Sequence, residues 1–340
     1  MRQTLTKHIA SLISLSVVLL IVGVVSFVKI DYTLTAPGFN DEVSSFITIE
    51  SSYDQEGSFH TTSVIVVRRM SYLQYWLSQS EDTVKVKEIP AYYEYVEDLS
   101  DLTVMGYQMK DDSLANSLVV GIENAGHEIE YEVNDVIYLI YSYMDENTLE
   151  IGDTIVSING NNPYTESSNV SCNETATFEI IRDEEALSYV ITKNYYTETQ
   201  CAFGVYIDPL TEIISSDVEY KLHNDYTTGP SGGLMQSLYI YNILTPHDIT
   251  GGLKIAGTGT IDAEGTVGPI GGIEQKIITS ALNGIDIFFV PHLSDSERDN
   301  YVVALAVLET LDTDMKLVPV SNFDNAINYL EQRYGGAFDE

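Results

Sequence analysis

Positive charge is what this 340-residue chain lacks most: 16 Lys and Arg stand against 51 Asp and Glu, a formal net charge of −35. Such an imbalance repels nucleic-acid phosphates and excludes a nucleic-acid binder. It also argues against the soluble part resting on anionic lipid. Two readings of the acidity stay open: a heavily solvated surface suited to saline or acidic surroundings, and attraction of basic peptides. Histidine is scarce, with six scattered copies. His127-Glu128 meets Tyr131 where a zinc helix needs its second histidine, so no metal is expected. No Gly-x4-Gly-Lys-Ser/Thr run occurs, which excludes a P-loop nucleotide site, and no cofactor is expected. Only two cysteines occur, Cys172 and Cys201. Reactive-thiol chemistry is not expected of them, and whether they pair outside a cell stays open. What the chain does have, 44% hydrophobic residues and 24 tyrosines, excludes an acidic disordered tail.

One run, Ile9 to Val28, carries no charge and as a helix reaches about 30 Å, enough to span a bilayer. Arg2 and Lys7 precede it, which puts the N-terminus in the cytoplasm by the positive-inside tendency. No small-x-small cleavage site closes the run, so an uncleaved anchor is expected over 1–29, with the remainder outside the cell. Residues 30–43, with Pro37-Gly38 and few apolar groups, read as a tether. Phe46–Glu50 and Phe59–Val67 read as two strands of a hairpin-like unit around Gly57. Met70–Leu77 reads as a helix holding Trp76 as a packing residue. Met109–Gly126 reads as a second helix, buried through Leu114, Leu118, Val119 and Ile122 and closed by Gly126.

The chemistry concentrates later. Gly229-Pro230-Ser231-Gly232-Gly233 is a small-residue turn leading into an amphipathic segment, Leu234–Leu244, so Ser231 falls at a helix N-terminus, where N–H groups favour negative charge. Gly271-Gly272 opens another helix whose stripe is Ile273, Ile277, Ile278, Ala281 and Leu282, with Lys276 beside it. A lysine kept neutral in apolar surroundings activates a serine. Lowering its pKa from about 10.4 to about 7–8 takes roughly 4 kcal/mol of desolvation. The alternative for each residue taken alone is a helix cap and a solvated lysine.

Together with Gly257-Thr258-Gly259-Thr260-Ile261 and Gly265-Thr266-Val267-Gly268-Pro269-Ile270-Gly271-Gly272, these runs resemble the proteolytic domain of Lon proteases, more closely the membrane-anchored, PDZ-containing Lon-like proteases of Gram-positive bacteria. The resemblance implies Ser231 as nucleophile, Lys276 as general base and Thr258 as support to the lysine amine. Gly229 and Gly232 would belong to the backbone around the oxyanion. Gly232 stands where alanine is common in the family, and Thr228 where many members carry aspartate. The Ile49-Glu50, Gly57, Thr61-Thr62 pattern and the Met109, Ser113, Ala115 helix resemble the opening half of that domain.

Between the halves, Leu149-Glu150-Ile151-Gly152-Asp153-Thr154-Ile155-Val156-Ser157-Ile158-Asn159-Gly160 resembles a PDZ domain of bacterial proteases. Such domains bind extended peptides by strand addition, here expected along Val136, Ile137, Tyr138 and Leu139. An inert β-spacer is the alternative. The expected architecture is therefore an α/β (α+β) Lon-type domain, 44–127 and 196–338, with a mostly β PDZ unit inserted at 128–195. After the catalytic motifs, Ile285–Pro291 and Met315–Val320 read as strands, Ser294 or Asp295 as the start of a helix to Leu311, and Ser321–Asp324 as the cap of a final helix.

The function expected is an extracytoplasmic, ATP-independent Ser–Lys endopeptidase acting on peptides or unfolded protein, among which secreted signalling peptides are implied by the resemblance. A homo-oligomer is possible by the same resemblance. The rivals are a catalytically silent, membrane-tethered PDZ adaptor and a Ser–Lys hydrolase of non-peptide acyl groups.

Overall fold

Ile287, Phe288, Phe289 and Val290 are all buried, and alternate residues enter different cores, as a strand covered on both faces requires. They belong to a six-stranded sheet in the computed structural model, which describes residues 2–50, 52–89, 101–140, 149–223, 227–294 and 296–334, without the side chains of 2–7, 9, 10 and 139. In chain order the first elements are α1 (Arg2–Phe27), β1 (Lys29–Ile30), β2 (Tyr32–Glu42), β3 (Ile47–Ile49), β4 (Ser58–Val67), β5 (Met70–Ser71), α2 (Tyr72–Ser78), β6 (Lys85–Glu88) and α3 (Asp101–Asn124). Next come β7 (Ile129–Ile140), β8 (Thr154–Ile158), α4 (Pro163–Asn169), β9 (Thr175–Arg182), β10 (Glu185–Thr192), β11 (Asn194–Tyr195), β12 (Cys201–Ala202), β13 (Val205–Ser216) and β14 (Tyr220–Leu222). The chain continues with α5 (Gly233–Leu244), β15 (Lys254–Gly257), β16 (Thr260–Ile261), β17 (Val267–Gly268), α6 (Ile273–Leu282), β18 (Ile287–Pro291), α7 (Asn300–Leu308), β19 (Lys316–Val320) and α8 (Phe323–Tyr334).

The six strands run β19-β18-β15-β4-β2-β6, parallel from β19 to β4 and antiparallel beyond. The larger core lies on one face. It joins Phe46, Ile47, Phe59, Leu114, Leu118 and Ile122 from the first part of the chain to Leu234, Leu238, Ile255, Phe289, Val318 and Phe323 from the last. On the other face α6 and α7 cover Ala256, Phe288 and Val290 with Ile273, Ile277 and Ala304. The contact between α3 and α5 is close because Gly121 leaves room for Ile240, whose Cβ would lie 2.7 Å from an added Cβ.

Residues between the two parts build a five-stranded antiparallel sheet, β10-β9-β8-β7-β13, with its own core of Ile137, Leu149, Ile155, Ile158, Phe178 and Phe203. The β9–β10 hairpin turns through Asp183 and Glu184, both at positive φ (49° and 65°), the geometry of a two-residue primed turn. Cys172 and Cys201 form a disulfide across 29 positions.

Several expectations need correction. Residues 30–43 are not a tether: β1 and β2 occupy them, and β2 lies inside the main sheet. Pro37-Gly38 misleads because β6 pairs β2 only from Tyr32 to Thr35, so Pro37 sits beyond it, at a register irregularity where no donor is demanded. The strands around Gly57 do not pair with each other: β3 pairs with β14, and β4 lies between β2 and β15. Trp76 is 71% exposed rather than a packing residue. Helix α7 starts at Asn300, because the Asp299 carboxylate gathers the N–H groups of Leu293, Ser294 and Tyr301 and curls the preceding loop around itself.

Among the described residues no helix is long and apolar enough to cross a membrane. The backbone of α1 is continuous over 26 residues, but the side chains of Ile9 and Ala10, which open the uncharged run, lie outside the described residues.

Two outcomes test this packing. Gly121→Val forces a methyl pair into Ile240 and should cost about 1–3 kcal/mol, read as a lowered midpoint in thermal unfolding; an unchanged midpoint would contradict the α3–α5 approach. Reducing Cys172–Cys201 should destabilise the five-stranded unit by about 3 kcal/mol through restored chain entropy, measured by denaturant titration with and without reductant.

Candidate active site

The nucleophile loop is pinned from three sides. Gly229 takes φ +90°, a region glycine favours, and its N–H donates to Gly106 O at 2.8 Å. Pro230 O accepts from the buried Ser113 hydroxyl on α3 at 2.8 Å. Ser231 O accepts from Gly259 N at 2.9 Å and from Thr258 Oγ1 at 3.0 Å. The cap position of α5 belongs to Gly232 and carries no side-chain cap bond. Ser231 is therefore not a helix cap, and its hydroxyl turns to Lys276. Helix α5 itself is buried on almost every side rather than amphipathic, which holds the serine on an immobile base.

Gly272, at φ +71°, caps α6 and accepts from Lys276 N at 3.1 Å. Lys276 is not beside the buried stripe but part of it, at 2% exposure, whereas Leu282, expected to be inside, is 79% exposed. Its Nζ lies 2.6 Å from Ser231 Oγ and 2.9 Å from Thr258 Oγ1. Thr258 is fully buried and spends its hydroxyl hydrogen on Ser231 O, so it can only accept from the amine. That occupies one lysine N–H and leaves the lone pair of the neutral amine free to face Ser231 Oγ. Burial alone brings the Lys276 pKa down to about 7, the range a general base needs.

Of the backbone around the expected oxyanion, Gly229 is already committed to Gly106 O, and Pro230 has no N–H. The donors left in that stretch are Ser231 and Gly232, at the positive end of α5. Ser113 and Gly106 escaped the sequence reading as loop supports. The available signal was the row of small residues Ser113, Ser117 and Gly121 on one face of α3; Ser117 Oγ likewise donates to Gly233 O at 3.0 Å.

A cavity of about 430 Å³ opens beside this loop, lined among others by Pro230, Thr260, Met109 and Tyr138. Asp112, Asp208, Asp262 and Glu264 also line it, and among the described residues no lysine or arginine does. Burial raises the carboxyl pKa of Asp112 and of Asp208.

The expected peptide-binding strand is not where a peptide can add. Val136 and Ile137 are paired on both sides, by β13 and by Thr154, Asp153 and Gly152. Tyr138 is buried with its hydroxyl donated to Pro209 O at 3.1 Å. Leu139 pairs through its backbone with Tyr206, and its side chain lies outside the described residues. The outer strands of this sheet are β10 and β13.

A buried lysine against a serine at a helix mouth is the arrangement of a Ser–Lys activated nucleophile. Residues 225–332 match the model of the Lon protease (S16) C-terminal proteolytic domain, so a Lon proteolytic domain, a serine-peptidase domain, is present. Lon protease of Metamycoplasma arthritidis is 32% identical over 102 residues, 30% of this chain and 11% of that protein. Lon protease 2 of Borreliella burgdorferi is 28% identical over 151 residues, 44% and 17% of the two chains. Lon protease of Campylobacter concisus is 33% identical over 100 residues, 29% and 11%. The chain thus spans only 11% to 17% of the length of these relatives.

Lys276 ties stability to pH. Its pKa is depressed on folding, so between about 7 and 10.5 the unfolded chain binds the extra proton and stability rises with pH. The depression corresponds to a penalty of about 4–5 kcal/mol that is present in full below pH 7 and relieved by about pH 10.5. Lys276→Met should therefore unfold at a higher temperature than wild type, with the gap widest below pH 7 and closing toward pH 10; a pH-independent gap would refute a neutral Lys276.

Proposed function

We propose that this chain is a membrane-anchored, extracytoplasmic endopeptidase that cleaves peptides or unfolded protein segments without ATP. The observation that carries it is the 2.6 Å approach of a buried Lys276 Nζ to Ser231 Oγ. Lys276 takes the proton as Ser231 Oγ bonds to the substrate carbonyl carbon, and the Ser231 and Gly232 N–H groups receive the oxyanion. The same lysine returns the proton to the amine as the peptide C–N bond breaks. Water then repeats the sequence on the acyl-enzyme, releasing the acid and restoring the serine.

Three features support the finer reading. The uncharged run Ile9–Val28 and the exposed apolar side chains of α1, from Leu12 to Phe27, suit a lipid surround. The Cys172–Cys201 disulfide suits an oxidising compartment. No P-loop motif occurs in the chain, so loose segments rather than folded proteins are the fitting substrates. The middle sheet is read as a PDZ-like unit that runs from β7 through β13, past the expected end at 195 to Ser216, inserted into a protease whose main sheet already begins with β2 rather than at 44; it delivers substrate through an outer strand. Acidic lining of the cavity beside Pro230 favours neutral or basic side chains there.

Incubating the full chain in detergent with an unstructured protein, without ATP, tests the reading. Wild type should cleave, Ser231→Ala and Lys276→Ala should each lose about a thousandfold or more, and added ATP should change nothing. Cleavage surviving in both variants would sink the dyad. Inactive wild type that still retains peptides would favour the adaptor.

A further inference from the structure

The chain has a single tryptophan, and it stands on the surface. Trp76 belongs to α2, whose Tyr72 and Leu77 are exposed as well. The helix is nonetheless firmly held. Ser71 and Gln74 form a reciprocal capping box at its start, and the Tyr75 ring lies 5.1 Å from that of Tyr32 on β2. So α2 presents an aromatic face outward from a rigid mount.

Its position is set by α1. One residue, Val28, separates α1 from β1, and β1 pairs with β5 in the register Lys29↔Ser71 and Ile30↔Met70. Because paired strands lie about 4.8 Å apart, the N-cap of α2 is stitched beside the point where the chain leaves α1. Phe27 and Val28, also exposed, continue the same apolar surface.

Charge segregates to this end. Residues 28–36 and 66–88 hold five of the 16 basic residues, Lys29, Arg68, Arg69, Lys85 and Lys87, but only four of the 51 acids. The remaining chain, with 47 acids to 11 basic residues, is repelled by an anionic surface. Arg69 pairs with Asp31 and Lys85 with Glu274, so among the described residues this end is close to neutral and is repelled least by an anionic surface, and aromatic residues favour the lipid–water boundary.

We propose that α2, with the end of α1, is an interfacial seat that docks on the outer headgroup layer of a bilayer carrying anionic lipid. The proposal rests on the reading of α1 as a membrane anchor. Acidity of the whole chain, which argued against lipid docking, instead decides which end docks. The seat also reaches the catalytic helix. Beyond α2, Thr83 O accepts from Gln275 Nε2 at 3.4 Å, and Lys85 pairs with Glu274, both on α6 beside Lys276. Docking therefore fixes the height and tilt of the cleft above the membrane.

Trp76 is its own probe. The full chain would be reconstituted in phosphatidylcholine vesicles with or without phosphatidylglycerol, checked by flotation, and Trp76 emission quenched by lipid brominated near the headgroup or by aqueous iodide. The expected result is strong bromolipid quenching and iodide protection, greater with phosphatidylglycerol and weakened by salt. Leu77→Asp should cut bromolipid quenching several-fold and leave peptide cleavage in detergent unchanged. A chain that floats while Trp76 answers only to iodide overturns the seat and leaves the anchor standing. Protection from both quenchers also overturns it, since protein, such as a second copy, would then cover α2. Failure to float removes the anchor and the seat together.

Discussion

A neutral amine within reach of a hydroxyl is the constraint on which this structure depends. Neutrality here comes from burial, with no charge among the described residues shifting it back. Every element around Lys276 must therefore exclude water without offering it a carboxylate. Helix α6 does so by placing Ile273, Lys276, Ile277 and Ser280 on its inner side, against a sheet whose strands are covered on both faces. A lysine forced into that stripe costs stability, and the packing of the whole α/β core offsets it. The wide sheet and its second layer of helices are what a desolvated base requires.

The serine side of the pair depends on a different device. Its loop has few side chains with which to hold itself, and it is instead hung from backbone carbonyls and amides: Gly229 on Gly106, Pro230 on Ser113, Ser231 on Thr258 and Gly259. Two of those supports are on α3, a helix from the first part of the chain. That explains why residues before the middle sheet share one core with residues after it. The nucleophile is positioned by a helix more than a hundred residues away in sequence, so the two parts of the chain are mechanically inseparable at the active site. The middle sheet touches this support as well, since Thr211 N donates to Asp112 Oδ1 at 2.7 Å, one residue before Ser113.

The grouping of Ser231, Thr258 and Lys276 was legible in the sequence and the scaffold only partly so, for a physical reason. Ser231 and Thr258 sit in glycine-rich turns, and Lys276 in the first turns of a helix that Gly272 opens at positive φ, so their local sequence carries much of the geometry with it. Strands are specified by partners distant in sequence. Nothing near Ile47–Ile49 says that the partner is Tyr220–Leu222 rather than the strand across Gly57, and nothing near Val136 says that its edge is taken by Asp208 and Thr154. Pro37-Gly38 reads as a linker because the propensity is local, whereas the lack of a neighbouring strand beyond Thr35, which makes proline harmless there, is not. The small-residue row on α3 marked Ser113 as close to a neighbour but not as a loop support, and Gly106 carried no such mark, since each acts through one bond to a loop far along the chain.

Trp76 shows the opposite failure. In a water-soluble domain the sound inference from a lone tryptophan is burial, because exposing its ring in water is unfavourable. That inference assumes water on the far side. Here the tryptophan is held outward by a capped helix and a Tyr75–Tyr32 contact, beside the end of an apolar helix and amid the basic residues of an acidic chain. Those three placements are unrelated as packing choices in water. On the proposed seat, a lipid boundary would account for all of them at once; from the sequence, lipid is expected around Ile9–Val28 and not beside α2.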